Sequence, residues 1–178
     1  MPPLLETTLI SLDGQVHEPM RFAAPYFDAD AEGDAVEVLD SHDAVLFGRS
    51  TFEAFQEGWA DRSGPFADRI KAMKKYVITS TLAETRWDNT EIVSGDGVSV
   101  AAGLRARHER GLVTYGHGRL SRSLLAAQLT TQVRLNLHPV IAGGGAEPLH
   151  QDQTAALRLI GARRRESGVV VLDYQTKG

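Results

Sequence analysis

Several short apolar runs in this chain stop abruptly at glycine or small polar residues, and this punctuation constrains the fold more than any other feature. Residues 44–47 run into Gly48-Arg49-Ser50-Thr51, and residues 75–79 run into Ser80 and Thr81. Residues 91–93 lead to Gly95-Asp96-Gly97, and residues 112–115 to Gly116-His117-Gly118. Each run has the length of a strand, and stretches with helical spacing lie between them. Residues 29–42 place Ala35, Val36 and Leu39 on one face behind a group of aspartates; residues 66–73, 98–110 and 119–127 also read as helices, and Gly111 fits a C-terminal cap. Ser50 or Thr51 suits the cap of a short helix carrying Phe52 and Phe55. A strand over 4–11 broken by Asp13-Gly14 opens the chain, and 19–25 reads as a loop. A strand over 131–140 follows the last helix, and Gly143-Gly144-Gly145 forms a loop. The tail folds 156–165 onto 168–174 as a hairpin across Glu166-Ser167-Gly168. The alternation predicts an α/β fold: a mostly parallel central sheet, helices on both faces and an antiparallel C-terminal hairpin.

The length of 178 residues suits a single domain spanning 1–178, and 42% hydrophobic residues can build its core without covalent staples. There is no cysteine, which excludes disulfides, thiolate metal sites and a cysteine nucleophile. The net charge of −4 argues against a nucleic-acid partner, whose phosphates require a basic face. No run approaches the roughly 20 apolar residues that span a bilayer, and the first residues lack a basic stretch followed by an apolar core. A cytoplasmic protein without a membrane partner is expected.

Ligands of open α/β sheets bind beyond the carboxyl ends of the strands. Three of the four punctuating turns lead into a helix, where free N–H groups attract anions and glycine admits close approach. Side by side, such turns suit a diphosphate. Each alone is more often only a turn. The spacing Gly-x-Gly-x-x-Gly is not completed after Gly118, because Ser121 stands in the third place, and no glycine precedes Lys-Ser or Lys-Thr. The histidines His17, His42, His108, His117, His138 and His150 show no metal-ligand spacing, so no metal is expected. Arg163-Arg164-Arg165 reads as a solvated strand end. For Asp13 two readings stay open: a turn aspartate bonding its own backbone, or a polar contact near substrate.

The ordered set Thr8-Leu9-Ile10-Ser11-Leu12-Asp13-Gly14, Val45-Leu46-Phe47-Gly48-Arg49-Ser50-Thr51-Phe52-Glu53 and Lys75-Tyr76-Val77-Ile78-Thr79-Ser80-Thr81-Leu82 continues with Trp87-Asp88-Asn89-Thr90 and Val113-Thr114-Tyr115-Gly116-His117-Gly118-Arg119-Leu120. It closes on His138-Pro139-Val140-Ile141-Ala142-Gly143-Gly144-Gly145. Together these segments resemble the dihydrofolate-reductase-like family that includes the C-terminal reductase domain of the riboflavin-biosynthesis deaminase–reductase, and most resemble its stand-alone members. The resemblance implies an eight- or nine-stranded sheet, a homodimer and an NADPH cleft. Gly48, Arg49 and Thr51 would meet the pyrophosphate, and Thr79, Ser80 and Thr81 the adenosine ribose. Gly116, His117, Gly118, Arg119 and Leu120 would wrap the phosphates from the other side, while Asp13 and Gly14 would border nicotinamide and substrate.

Two departures stand out. Many relatives carry Ser-Arg-Thr where this chain has Thr79-Ser80-Thr81, so the arginine that grips a 2′-phosphate is missing and NADH enters as an alternative cofactor; Arg49 or Arg86 are the residues to compensate. The buried carboxylate of dihydrofolate reductases has only Asp28, Asp30 and Asp34 as candidates. The activity the resemblance implies is hydride transfer from a nicotinamide to a C=O or C=N group of a small pyrimidine-, pterin- or sugar-like substrate. Asp13 or a bound water would deliver the proton. The alternative is a non-catalytic nucleotide-binding or dimerising module on the same scaffold.

Overall fold

The computed structural model describes residues 1–143, 149 and 154–177. Its strands are β1 (Leu4–Ser11), β2 (Ala44–Gly48), β3 (Lys74–Ile78), β4 (Thr90–Val93), β5 (Leu112–Tyr115), β6 (Gln132–His138), β7 (Leu157–Arg164) and β8 (Val170–Thr176). Its helices are α1 (Met20–Ala23), α2 (Ala29–Asp40), α3 (Arg49–Trp59), α4 (Pro65–Ala72), α5 (Gly97–Arg105) and α6 (Arg119–Ala126), with a tighter turn over Ala24–Tyr26. The strands form one sheet in the order β4-β3-β2-β5-β1-β6-β8-β7. From β1 to β6 every pairing is parallel; β8 runs antiparallel to β6, and β7 antiparallel to β8 with a bulge between Leu159 and Gly161.

The apolar runs explain which strands are central. Ala44, Val45, Leu46 and Phe47 of β2 are all fully buried, as a parallel strand covered on both faces requires. On one face Leu5, Val45, Phe47, Val77 and Val113 pack under Val38 and Leu39 of α2, Phe52 of α3, and Phe66 and Ile70 of α4. On the other, Leu4, Leu46, Tyr76 and Leu112 pack under Ala101 and Leu104 of α5 and Leu124 of α6. Within β3, Lys75 is buried as well. Its ammonium donates to the carbonyls of Ile70, Lys71 and Met73 at the end of α4, and lies 4.8 Å from the Trp87 ring centre. Burial pushes its pKa down to about 8.

Five local expectations are corrected. The helix expected over 98–110 ends at Arg105, with Ala106 as its cap. Beyond it, Tyr76 bonds His108 at 3.1 Å and Arg110 pairs with Asp43 at 2.8 Å, so tertiary partners draw this segment out of the helix. Gly111 is required for another reason: its φ is +81°, and a Cβ there would lie 2.0 Å from the Pro3 carbonyl oxygen. Neither Ser50 nor Thr51 caps α3; Gly48 holds that position without any side-chain bond. The stretch 19–25, expected as a loop, contains α1, which buries Phe22 and Ala23. Arg165 is not a solvated strand end either. It is buried, and donates to Asp34 on α2 at 2.7 Å and to Asn136 on β6 at 3.1 Å, while Arg163 grips the other oxygen of Asp34 at 2.7 Å. Of the expected Gly143-Gly144-Gly145 loop, Gly144 and Gly145 lie outside the described residues, as does His150.

Candidate functional site

Because β1 to β6 run parallel, their carboxyl ends share one edge of the sheet, and every punctuating turn lies there. The two middle turns, after β2 and β5, are neighbours. Their helices leave on opposite faces: α3 packs with the first core cluster, α6 with the second. Adjacent parallel strands whose connections part in this way leave a crevice between their ends, the usual ligand position in such sheets.

The geometry brings the residues on its two sides together. A Cβ at Gly48 would lie 3.5 Å from the Leu120 Cβ, and one at Gly116 would lie 3.8 Å from the Thr51 hydroxyl. Gly116 has a φ of +75°, so the turn after β5 depends on glycine there. The amides at the start of α3 and at the start of α6 receive no side-chain cap from Gly48 or Gly118. Two helix N-termini therefore open on one crevice with donors available to an anion.

The turn after β4 behaves differently. Asp96 caps α5, accepting from the Ser99 backbone N–H at 2.9 Å and from its hydroxyl at 2.8 Å. These bonds hold its carboxyl below the usual range. The amide that sequence reading offered to a phosphate is taken by a fixed negative charge, so Gly95-Asp96-Gly97 drops out of the diphosphate set. Gly97 still matters sterically: a Cβ there would lie 3.1 Å from a Leu120 methyl.

At the β3 end, the Thr79 hydroxyl accepts from the Thr81 and Leu82 amides at 3.1 and 3.3 Å, which fixes the turn. Ser80 is exposed. Arg49 spans from α3 to this turn, donating to the Thr81 hydroxyl at 2.7 Å and to Glu53 at 2.9 Å. Arg86, the other compensating candidate, lies in the segment before β4, at the opposite edge of the sheet. There it lines a separate hollow of about 540 Å³ with Trp87, Asp88 and Asn89. Of the two, only Arg49 belongs to the site.

Asp13 lies at the rim. Tyr115 is level with Thr7, whereas β1 continues to Ser11, so β1 rises past the crevice floor before the chain reaches Asp13. The carboxylate accepts from the Ser11 hydroxyl at 2.6 Å and from the Ala142 and Gly143 amides at 2.9 Å each. The Ser11 bond, followed by that from Ala142, lowers its pKa to about 2. Ionised at neutral pH and occupied by three donors, Asp13 latches the β1 turn to the segment after β6 and has no proton to give.

Two residues that sequence reading passed over lie beside the crevice. The Tyr115 hydroxyl is buried with no hydrogen-bond partner among the described residues, its ring packed on Phe47 and Phe55. Burial raises its pKa, keeping it protonated. Glu6, on β1, is 1% exposed and meets the Nδ1 of His117 at 2.7 Å. The His117 side chain is accordingly turned into the sheet, 3% exposed, while Gly118 and Arg119 are exposed. His117 thus belongs to the site through its backbone. Nothing in the sequence marked Glu6, which reads as one polar place in a strand, 111 positions from its partner. Among the α2 aspartates, Asp28 is the helix cap and Asp34 is held by Arg163 and Arg165, so neither offers a free carboxylate.

No helix among the described residues is long and apolar enough to cross a membrane. The uncharacterized protein YyaP of Bacillus subtilis (strain 168) is 26% identical over 177 residues, covering 95% of this chain and 92% of that protein. The fold matches a pyrimidine reductase-like protein from Corynebacterium diphtheriae at a TM-score of 0.72 and 15% identity, covering 99% of this chain and 92% of the other. It also matches the diaminohydroxyphosphoribosylaminopyrimidine deaminase/5-amino-6-(5-phosphoribosylamino)uracil reductase of Thermotoga maritima, at a TM-score of 0.69 and 16% identity, covering 99% of this chain and 57% of the other. The family model of the RibD C-terminal domain matches residues 2–171, and the chain belongs to that family.

Proposed function

We propose that this protein is a reductase that binds a reduced nicotinamide dinucleotide across the β2/β5 crevice and reduces a C=O or C=N group of a small pyrimidine-, pterin- or sugar-like substrate. The observation that carries the reading is the pair of uncapped helix starts, Gly48–Arg49 and Gly118–Arg119, opening on adjacent strand ends. The reductase named for the Thermotoga relative supports the substrate class. The residues present fit such a cofactor. Amides of α3 and α6 would hold the diphosphate, the absence of side chains at Gly48 and Gly116 keeps the backbone approachable, and Arg49 beside Thr81 supplies the cation that Ser80 does not. NADPH is therefore preferred over NADH. When bound, the cofactor supplies the hydride. The protein aligns donor and acceptor and excludes water, and Asp13 holds the rim in its latched form. With Asp13 ionised and Asp34 neutralised by arginines, a bound water delivers the proton.

The test is oxidation of NADPH, followed by its absorbance, with a panel of pyrimidine, pterin and dicarbonyl substrates, alongside a direct binding titration. Turnover with one class supports the reading. Tight binding without turnover on any of them supports a non-catalytic nucleotide-binding module, and no binding at millimolar NADPH removes both. A homodimer belongs to the same proposal: Leu159 and Ile160 on the edge strand β7 are about half exposed, apolar surface that a second copy would cover. Sedimentation showing only monomer at high concentration would dismiss it.

A further inference from the structure

A buried glutamate in the middle of a sheet needs an explanation. Glu6 lies on the second core face, two residues on from fully buried Leu4, with 1% of its surface exposed. One carboxyl oxygen meets His117 Nδ1 at 2.7 Å and accepts from the Thr8 hydroxyl at 3.3 Å. The other oxygen is buried without a partner among the described residues. Burying a carboxylate whose charge is this incompletely compensated is costly, and an apolar side chain of similar volume would pack here without that cost. For stability alone, Glu6 is a poor choice.

Its contact points to what it does. His117 is the central residue of the turn between β5 and α6. The turn is fastened at its start, where the Gly116 amide donates to the Thr7 carbonyl at 2.9 Å and the Gly116 carbonyl accepts from the Ser121 hydroxyl at 2.8 Å. After Gly116 the backbone must swing from φ +75° to the extended Gly118 that starts α6. Within this stretch the His117 imidazole reaches the sheet at Glu6. In this contact Nδ1–H is the donor that suits a carboxyl oxygen, and the short bond sets the ring's orientation. Drawn inward, the ring is buried while Gly118 and Arg119 stay exposed at the start of α6.

We propose that Glu6 is a positioning residue for the diphosphate: acting through His117, it holds the turn after Gly116 in the conformation that presents the Gly118 amide and the first turn of α6 to the ligand. This rests on the dinucleotide-binding reading above.

The experiment combines three variants with two ligands. Glu6→Leu and Glu6→Ala remove the acceptor; Glu6→Gln keeps an oxygen that can accept from Nδ1–H. For wild type and each folded variant, binding of NADPH and of adenosine 2′-monophosphate, which lacks the diphosphate, is titrated. The His117 ring nitrogens are read by long-range proton–nitrogen NMR. The expected result is an NADPH affinity lowered about tenfold in Glu6→Leu or Glu6→Ala, the worth of one charge-assisted hydrogen bond. Affinity for the monophosphate is unchanged, the Nδ1–H signature is lost, and both are restored in Glu6→Gln. Wild type that binds NADPH, with acceptor-less variants that bind it equally well, overturns the role of Glu6 and leaves the dinucleotide reading standing. Parallel loss of both ligands also overturns it, because a general structural defect would do the same. Should neither Glu6→Leu nor Glu6→Ala fold, the role is overturned in favour of a structural one. Wild type that binds no dinucleotide removes the underlying reading and this inference with it.

Discussion

An exposed aspartate ordinarily titrates near 3.9; Asp13, with three donors on its carboxylate, titrates at about 2. A carboxyl whose pKa is depressed by folding contributes stability that is present above the unfolded value and is lost as pH falls through the folded one. The amide resonances of Ala142 and Gly143 should therefore titrate with a midpoint near pH 2; a midpoint near 4 would show that the latch does not form. Tyr115 makes the opposite case, a polar atom with no partner among the described residues. Tyr115→Phe removes a buried unsatisfied hydroxyl, so stability should hold or rise by about 1 kcal/mol, while kcat/KM falls if that hydroxyl meets substrate. Urea titration and steady-state kinetics read the two separately. Arg49→Ala should weaken NADPH binding by about tenfold and NADH binding much less, since the proposed reading assigns the 2′-phosphate to the guanidinium beside Thr81. Equal loss of both would assign Arg49 elsewhere.

At the scale of elements, sequence signals held where they were local and failed where distant partners decided. The glycine-ended runs located β2 and β5, and the aspartates before α2 located its start, where Asp28 accepts from Ala31 at 2.9 Å. The helix over 98–110 was overdrawn because Asp43 and Tyr76, far away in sequence, hold Arg110 and His108. The same limit hid the network at Arg165, whose partners Asp34 and Asn136 lie on α2 and β6. Asp34→Ala would leave buried Arg165 without its counter-charge and Arg163 with Asp173 at 3.6 Å. The expected loss is about 3 kcal/mol, at the low end for a broken buried pair because a fifth of the Asp34 side chain remains exposed; chemical denaturation measures it. Lys75 is comparable. Replacement by Met strips three carbonyls at the end of α4 of their donor, and a loss of about 3 kcal/mol is expected from the same measurement.

For the whole molecule, strand order is what turns scattered motifs into a site, and no residue pattern states that order. Gly48 and Gly116 lie far apart in the chain, yet β2 and β5 are adjacent, with α3 and α6 on opposite faces, so their turns share a crevice. Gly95-Asp96-Gly97 looked equivalent in sequence, but Asp96 turns its carboxylate onto its own helix start. The distinction rests on a side-chain rotamer that composition does not reveal. The most direct test is a proton–nitrogen NMR titration of the protein with NADPH. The largest shifts should fall on the amides of Arg49 to Thr51 and of Gly116 to Leu120 together, with those of Gly97 to Ser99 little changed. Shifts centred on α5 or on the hollow at Trp87, or none at all, would contradict it.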